Sequence, residues 1–241
     1  MYGKKCGTLI SVMKLMDIEL NYYEQGNGFP LILLHGNGED MTYFTNQVDC
    51  FSQVFRVIAV DTRGHGRTPR GEAPFTIRQF AEDLKCFMDA HAIEKAHILG
   101  FSDGGNIAMC FALKYPERVE KLILNGANLF PRGVKAYAQI PITLGYYLAR
   151  LFAMKSPDAN QQAELLGLMV KDPYIKPEEL TRIYHPTLVI AGDRDLIKES
   201  HTRLICDSLP NGQLAIIPGD HGVAAKNPTV FNETVLEFLF A

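Results

Sequence analysis

Short runs of apolar residues alternate with segments of helical period along most of the chain. Leu31-Ile32-Leu33-Leu34 and Arg56-Val57-Ile58-Ala59-Val60 are continuous and short, the pattern of strands buried on both faces. Ala96-His97-Ile98-Leu99, Lys121 to Leu124, Thr187 to Ala191 and Gln213 to Ile217 repeat it. Leu15 to Glu24 differs, because apolar and polar residues nearly alternate there until the turn cluster Gly26-Asn27-Gly28; a hairpin strand is expected. Thr76 heads a segment with Ile77, Phe80, Ala81, Leu84, Phe87, Met88 and His91 on one face, which predicts a capped helix. Asn106 to Lys114 and Pro228 to Phe240 predict two more, and His201 falls in another. Buried strands separated by helices imply an α/β fold with a mostly parallel central sheet covered on both faces.

The rhythm breaks once. Roughly sixty residues without a convincing strand separate Asn125 from Thr187, against the usual connection of about 2–6 residues. Gly145 to Met154 and Gln161 to Val170 have helical character, interrupted by Pro131, Pro141, Pro157, Pro173 and Pro177. A helical cap inserted at about 129–184 fits this stretch. Its aromatics Phe130, Tyr137, Tyr146, Tyr147 and Phe152 are candidates for pocket wall or for the cap's own core. A chain of 241 residues is at the upper end of what one core supports, so a single domain over 1–241 carrying that insertion is expected.

Composition narrows the partners. With 47% hydrophobic and 21% charged residues the chain is an ordinary globular protein. A formal net charge of -3, without a long Lys or Arg run, argues against nucleic acid or an anionic membrane surface. No stretch approaches the ~20 apolar residues of a membrane span. Gly7 to Met13, after Lys4 and Lys5, is too short and too polar for a secretory leader. The five cysteines (Cys6, Cys50, Cys86, Cys110 and Cys206) form no Cys-x-x-Cys pair, which favours a reducing compartment, the cytoplasm by default. Gly36-x-Gly38 lacks the third glycine of a dinucleotide loop, and neither G-x-x-x-x-G-K nor H-E-x-x-H occurs. The expected partner is a small-molecule substrate, with no cofactor and no metal.

Gly100-Phe101-Ser102-Asp103-Gly104-Gly105 matches G-x-S-x-G directly after one strand and before a helix. A nucleophile on so sharp a turn needs small neighbours two positions away, and the helix N-terminus behind it favours the negative charge of acyl transfer. A serine hydroxyl also needs a base. Of the seven histidines, His91, His97 and His201 belong to regular elements, His185 leads into Pro186, and His65 sits in the turn Arg63-Gly64-His65-Gly66. His221 follows the last strand in Pro218-Gly219-Asp220-His221-Gly222. Loops after the strand ends of a parallel sheet gather at one edge, so His221 can reach Ser102. The supporting carboxylate comes from Gly192-Asp193-Arg194-Asp195, where physics alone leaves Asp193 and Asp195 open. Backbone amides of Asp103 and of Asn37, in the turn His35-Gly36-Asn37-Gly38, are the candidate oxyanion donors. Phe101 and Asp103, flanking the serine, are the candidate substrate contacts. A carboxylate at Asp103 opposes the oxyanion nearby and calls for compensation, by solvent, by a basic side chain, or by a cationic group on the substrate such as that of an α-amino ester.

Together these residues resemble the α/β-hydrolase superfamily over nearly the whole chain. The matching pieces are His35-Gly36, Asp61-x-Arg63-Gly64-x-Gly66, Gly100-x-Ser102-x-Gly104-Gly105, Pro186 to Ile190, Gly192-x-x-Asp195 and Gly219-x-His221. The family's acid stands three residues after the glycine, which implies Asp195 over Asp193, and the order Ser, Asp, His agrees. The Ser-Asp-Gly-Gly elbow and short cap are similar to small esterases of the valacyclovir-hydrolase and proline-iminopeptidase kind. The resemblance implies a serine hydrolase, with carboxylester hydrolysis foremost. Thioester, amide and carbon–carbon bond hydrolysis, perhydrolysis and lyase chemistry stay open with the same triad, as does a non-catalytic receptor on this fold. Dehalogenase and epoxide-hydrolase chemistry is disfavoured, since Ser102 stands where those enzymes carry an aspartate.

Overall fold

The computed structural model describes residues 17–241. Seven strands form one sheet: β1 (Tyr22–Gln25), β2 (Pro30–Leu34), β3 (Arg56–Val60), β4 (Ala96–Phe101), β5 (Val119–Asn125), β6 (Thr187–Gly192) and β7 (Gly212–Ile217). Their order is β1-β3-β2-β4-β5-β6-β7, and β1 alone runs antiparallel to its neighbour. Helices α1 (Thr45–Phe51), α2 (Ile77–Ala90), α3 (Asp103–Lys114), α4 (Ala136–Phe152), α5 (Pro157–Lys171), α6 (Glu199–Ser208), α7 (Val223–Lys226) and α8 (Pro228–Phe240) connect and cover them. Among the described residues, no helix is long and apolar enough to cross a membrane.

Strand alternation divides the core in two. Ile32, Leu34, Ile58, Val60 and Ile98 face α2 and α3 through Phe80, Leu84, Ile107 and Phe111. Leu31, Leu33, Val57, Ala59 and Leu99 face α1 and α8 through Val48, Phe51, Phe231 and Val235. Both faces of these strands are therefore covered by apolar side chains, which is why the strands read as unbroken apolar runs. Thr76 caps α2 as expected, accepting from the Gln79 amide at 3.2 Å.

Several expectations need correction. The strand expected over Leu15 to Glu24 is β1 at Tyr22–Gln25, and residues 15 and 16, like Cys6 and the leader-like stretch at 4–13, lie outside the described residues. It forms no hairpin with β2: it pairs antiparallel with β3 at the sheet edge, because β2 already has β3 on one side and β4 on the other. In the insertion, α4 does not break at Pro141 but runs through it, with that proline inside the helix and exposed. Tyr137, Tyr147 and Phe152 lie on the exposed side of α4, so they are neither core nor pocket wall; Tyr146 alone of the four is buried.

The Asp61-x-Arg63-Gly64-x-Gly66 loop after β3 braces the edge that carries the chemistry. Asp61 accepts from the Met41 amide at 2.8 Å, the Arg67 amide at 2.9 Å and Asn21 Nδ2 at 2.8 Å, tying three segments to one carboxylate. Arg63 is fully buried and donates to both Asp83 (2.7 and 2.8 Å) and Asp17 (2.6 and 2.9 Å). That guanidinium holds the Asp17 carboxyl well below the usual carboxylate range. Removing Arg63 leaves the buried Asp83 carboxylate without its cation, with only the Gln79 side-chain amide donating to it at 3.0 Å, and breaking a buried ion pair in this way costs about 3–5 kcal/mol. Arg63→Met should lose about that much stability in urea denaturation, and adding Asp83→Leu should recover a large part of the loss. A single variant within about 1 kcal/mol of wild type would show that the pair carries no such cost.

Candidate active site

Ser102 stands between β4 and α3 with φ 53° and ψ -117°, a left-handed conformation that only a packed surrounding maintains in a residue with a side chain. The surrounding is made by absence of atoms: a methyl group on Gly100 would enter the Gly104 carbonyl, and one on Gly104 would enter the Leu34 carbonyl at the end of β2. The Ser102 amide donates to the Asn125 carbonyl at 2.8 Å, fixing the turn to the neighbouring strand. Helix α3 begins at Asp103, three residues earlier than its apolar period indicates.

The loop after β7 brings His221 against this turn. With its proton on Nδ1, His221 donates to Asp195 Oδ1 at 2.7 Å, and Nε2 is left to accept from Ser102 Oγ at 3.1 Å. Asp195 is buried, and its Oδ1 also accepts from the Ile197 amide at 2.8 Å, while Oδ2 has no partner among the described residues. Lys135 Nζ reaches the Asp195 backbone carbonyl at 2.6 Å. The other aspartate goes elsewhere: Asp193 is half exposed and accepts from the Gly219 amide at 2.9 Å, bracing the histidine loop. A methyl group on Gly126, which follows β5 with φ 60°, would sit 2.8 Å from the His221 ring. Nothing in the sequence pattern marks that contact beyond the glycine itself. The remaining histidines are bound away from Ser102. His185 contacts the Pro116 carbonyl, His201 accepts from the Leu129 amide, and His35 accepts from the Thr62 amide.

The turn after β2 completes the arrangement. Among the described residues, the backbone N–H groups of Asn37 and Asp103 have no protein partner, as donors kept for a ligand oxygen require. Asn37 Nδ2 donates to Asp103 Oδ2 at 2.9 Å, and Asn106 Nδ2 donates to Asp103 Oδ1 at 3.1 Å. The Asp103 carboxylate is thus compensated by two side-chain amides, not by a basic side chain. Burial pushes it up to about 6 despite those bonds. Burial also raises Glu39, whose Oε2 accepts from the Gly36 amide at 3.2 Å. Ser102, His221, Asp103 and Glu39 open onto a cavity of about 170 Å³ roofed by Gln139 and Ile142 of α4 and Met169 of α5. Phe101 lies in its wall, stacked on Tyr43 at 4.3 Å and tilted against His221 at 4.9 Å, so it shapes the imidazole's surroundings as well as the cavity. Glu39 and the three roof residues were not among the expected site residues.

Comparison with known proteins agrees with this architecture. Residues 30–156 match the family described as the alpha/beta hydrolase fold, and the chain belongs to that family. RutD of Caulobacter sp. (strain K31), provisionally named a carbamate hydrolase, is 32% identical over 87% of this chain and 90% of its own length. Human serine hydrolase BPHL is 28% identical over 97% of this chain and 88% of its own. A solved hydrolase from Pseudomonas aeruginosa PA01 superposes with a TM-score of 0.77 at 27% identity, covering 93% of this chain and 95% of that one. The protein is an enzyme of the α/β-hydrolase class.

The raised Asp103 carboxyl makes stability depend on pH in a defined direction. Between its ordinary 3.8 and its folded value of about 6, the native protein keeps a proton that the unfolded chain releases. Stability therefore falls as pH rises through that window, by about 3 kcal/mol at most. Asp103→Asn removes this dependence. Urea denaturation should show the stability of the variant, relative to wild type, improving by about 2–3 kcal/mol between about pH 4 and pH 7. A difference that stays constant with pH would mean that this carboxyl titrates alike in both states.

Proposed function

We propose that the protein is a serine hydrolase that cleaves an ester or related acyl bond of a small molecule through an acyl-enzyme on Ser102. The observation that carries this reading is the continuous hydrogen-bonded chain from Asp195 through His221 to Ser102, with the serine on a strained turn facing a cavity. In this reading His221 Nε2 takes the hydroxyl proton as Ser102 Oγ attacks the substrate carbonyl. Asp195 holds the ring in the required tautomer and stabilises the imidazolium that forms. The amides of Asn37 and Asp103 receive the oxyanion, and His221 returns its proton to the leaving group as the acyl-enzyme forms. Water, activated by the same histidine, then releases the acid and frees Ser102. The names of the relatives, a carbamate hydrolase and a serine hydrolase, support acyl chemistry at such a serine.

Ser102→Ala should abolish turnover of p-nitrophenyl acetate and covalent labelling by a fluorophosphonate. Asp195→Asn should lower turnover by about 10³–10⁴, whereas Asp193→Asn, which touches only a loop amide, should cost far less. Equal losses in the two aspartate variants would remove Asp195 from the role given to it.

The cavity favours one kind of acyl group. At about 170 Å³ it is smaller than the roughly 300–1,000 Å³ of pockets for drug-sized ligands, which favours a short acyl chain. Two acidic residues, Asp103 and Glu39, line it, and no Lys or Arg does among the described residues. A cationic substituent on the acyl group, such as an α-ammonium, complements such a wall, and one charge-assisted hydrogen bond gives roughly a tenfold to hundredfold preference. The ratio of kcat/KM for an alanine ester to that for its propionyl analogue should be of that size in wild type and should shrink in Asp103→Asn and in Glu39→Gln. A ratio near one in all three proteins would sink this preference.

A further inference from the structure

The two amides that face the substrate oxygen belong to residues 66 apart in sequence, on separate turns beyond the ends of β2 and β4. Parallel pairing of Leu34 with Gly100 brings those turns together, but both chains have left the sheet before the amides are reached. The Asp103 amide is held by the first turn of α3, where the Asn106 amide donates to the Ser102 carbonyl at 3.1 Å. The Asn37 peptide has no such support. Among the described residues its backbone N–H and C=O make no hydrogen bond, and Gly38, with φ 73°, follows it in open space.

What holds Asn37 is its own side chain. Nδ2 donates to Asp103 Oδ2 at 2.9 Å and to the Leu165 carbonyl of α5 at 2.9 Å. Asp103 in turn is fixed on its other oxygen by Asn106 (3.1 Å), and Asn106 Oδ1 accepts from the Asn128 amide at 2.9 Å. Three of these four residues are buried, and a buried polar chain with its bonds made is rigid. We infer that the Asn37 side chain is a positioning clamp that sets the separation of the two oxyanion amides through Asp103 and fastens the insertion over them through Leu165. This rests on the serine-hydrolase reading above. It also gives the Asp103 carboxylate a task apart from any contact with substrate, namely to accept the clamp.

Such a clamp acts on the transition state, where the oxyanion is formed, more than on the bound ester. With p-nitrophenyl acetate, Asn37→Ala should lower kcat and kcat/KM together by about 10²-fold while KM stays within about threefold, as for loss of one oxyanion donor. Asn37→Asp places two carboxyl groups against each other and should be at least as impaired. Combining it with Asp103→Asn reverses the direction of the hydrogen bond, because the new amide at 103 can donate to the new carboxylate at 37. This exchange should recover at least tenfold of the activity lost in Asn37→Asp, although Leu165 remains without its donor. A structural defect at position 37 would not be repaired by a second change at 103. Asn37→Ala within threefold of wild-type kcat, or an exchanged pair no better than Asn37→Asp alone, would overturn the clamp. Fluorophosphonate labelling separates this from the parent reading. Wild type that fails to label at Ser102 removes both, whereas labelling of wild type and Asn37→Ala at equal rates removes the clamp alone.

Discussion

Everything at this site depends on one backbone conformation, the left-handed φ of Ser102. Such a residue stores on the order of 1–3 kcal/mol of strain, which only the surrounding packing sustains. Here the packing is of backbone against backbone. The carbonyl of Leu34 closes on Gly104, and Gly104 closes on Gly100, so the Ser102 turn, helix α3 and strand β2 form one contact in which no side chain fits. The same contact decides where α3 starts. Because the helix begins immediately after the serine, the Asp103 amide points out of it without a protein partner, a free donor that results from the way the turn is made.

The electrostatics follow from the sheet. All strands from β2 to β7 run parallel, so the loops carrying Asn37, Ser102, Asp195 and His221 gather at their carboxyl ends. Three carboxyl groups are buried there together, wholly or in part. Asp195 offers one orphan oxygen beside the imidazole, and Asp103 and Glu39 are raised towards the neutral form by the same lack of water. Around the His221 ring stand the carboxyl groups of Asp195, Asp103 and Glu39, with no Lys or Arg among the residues that line the cavity.

The central strands were legible because both faces of the sheet are covered, which leaves no polar position in β2 or β3 after the first residue, Arg56 at the start of β3 being paired with Glu24 at the sheet edge. Ser102 and His221 were legible because strand ends in a parallel sheet are places of known chemistry. Asp195 was not separable from Asp193 by that logic. The difference lies in where each carboxylate points, and only the family's spacing indicated it. Helix α1 escaped notice for a physical reason: Gln47 occupies a buried position and donates its Nε2 to Asn232 Oδ1 and the Ala224 carbonyl, so the apolar period is interrupted on the buried face of the helix. Glu39 and Gly126 resemble ordinary turn residues until their surroundings are known. The insertion was the least legible segment, because α4 exposes Tyr137, Leu144, Tyr147 and Leu151 and so carries apolar residues that no core explains.

That insertion leaves the sheet after β5 and returns in β6, two strands paired side by side in parallel. Its point of departure and its point of return therefore bracket a single step across the sheet, and the registers on either side do not depend on what is spliced between them. Evolution can exchange such a segment as a cassette, changing what is admitted while the strand-end loops beneath are inherited intact. Polar stitches limit that freedom here. Glu164 is paired with Arg70 from the β3 loop, and the Leu165 carbonyl is bound to Asn37. A replacement cassette would have to present an acceptor at the same spot, so a descendant that lost it would inherit Ser102, His221 and Asp195 and yet leave Asn37 tied on one side only.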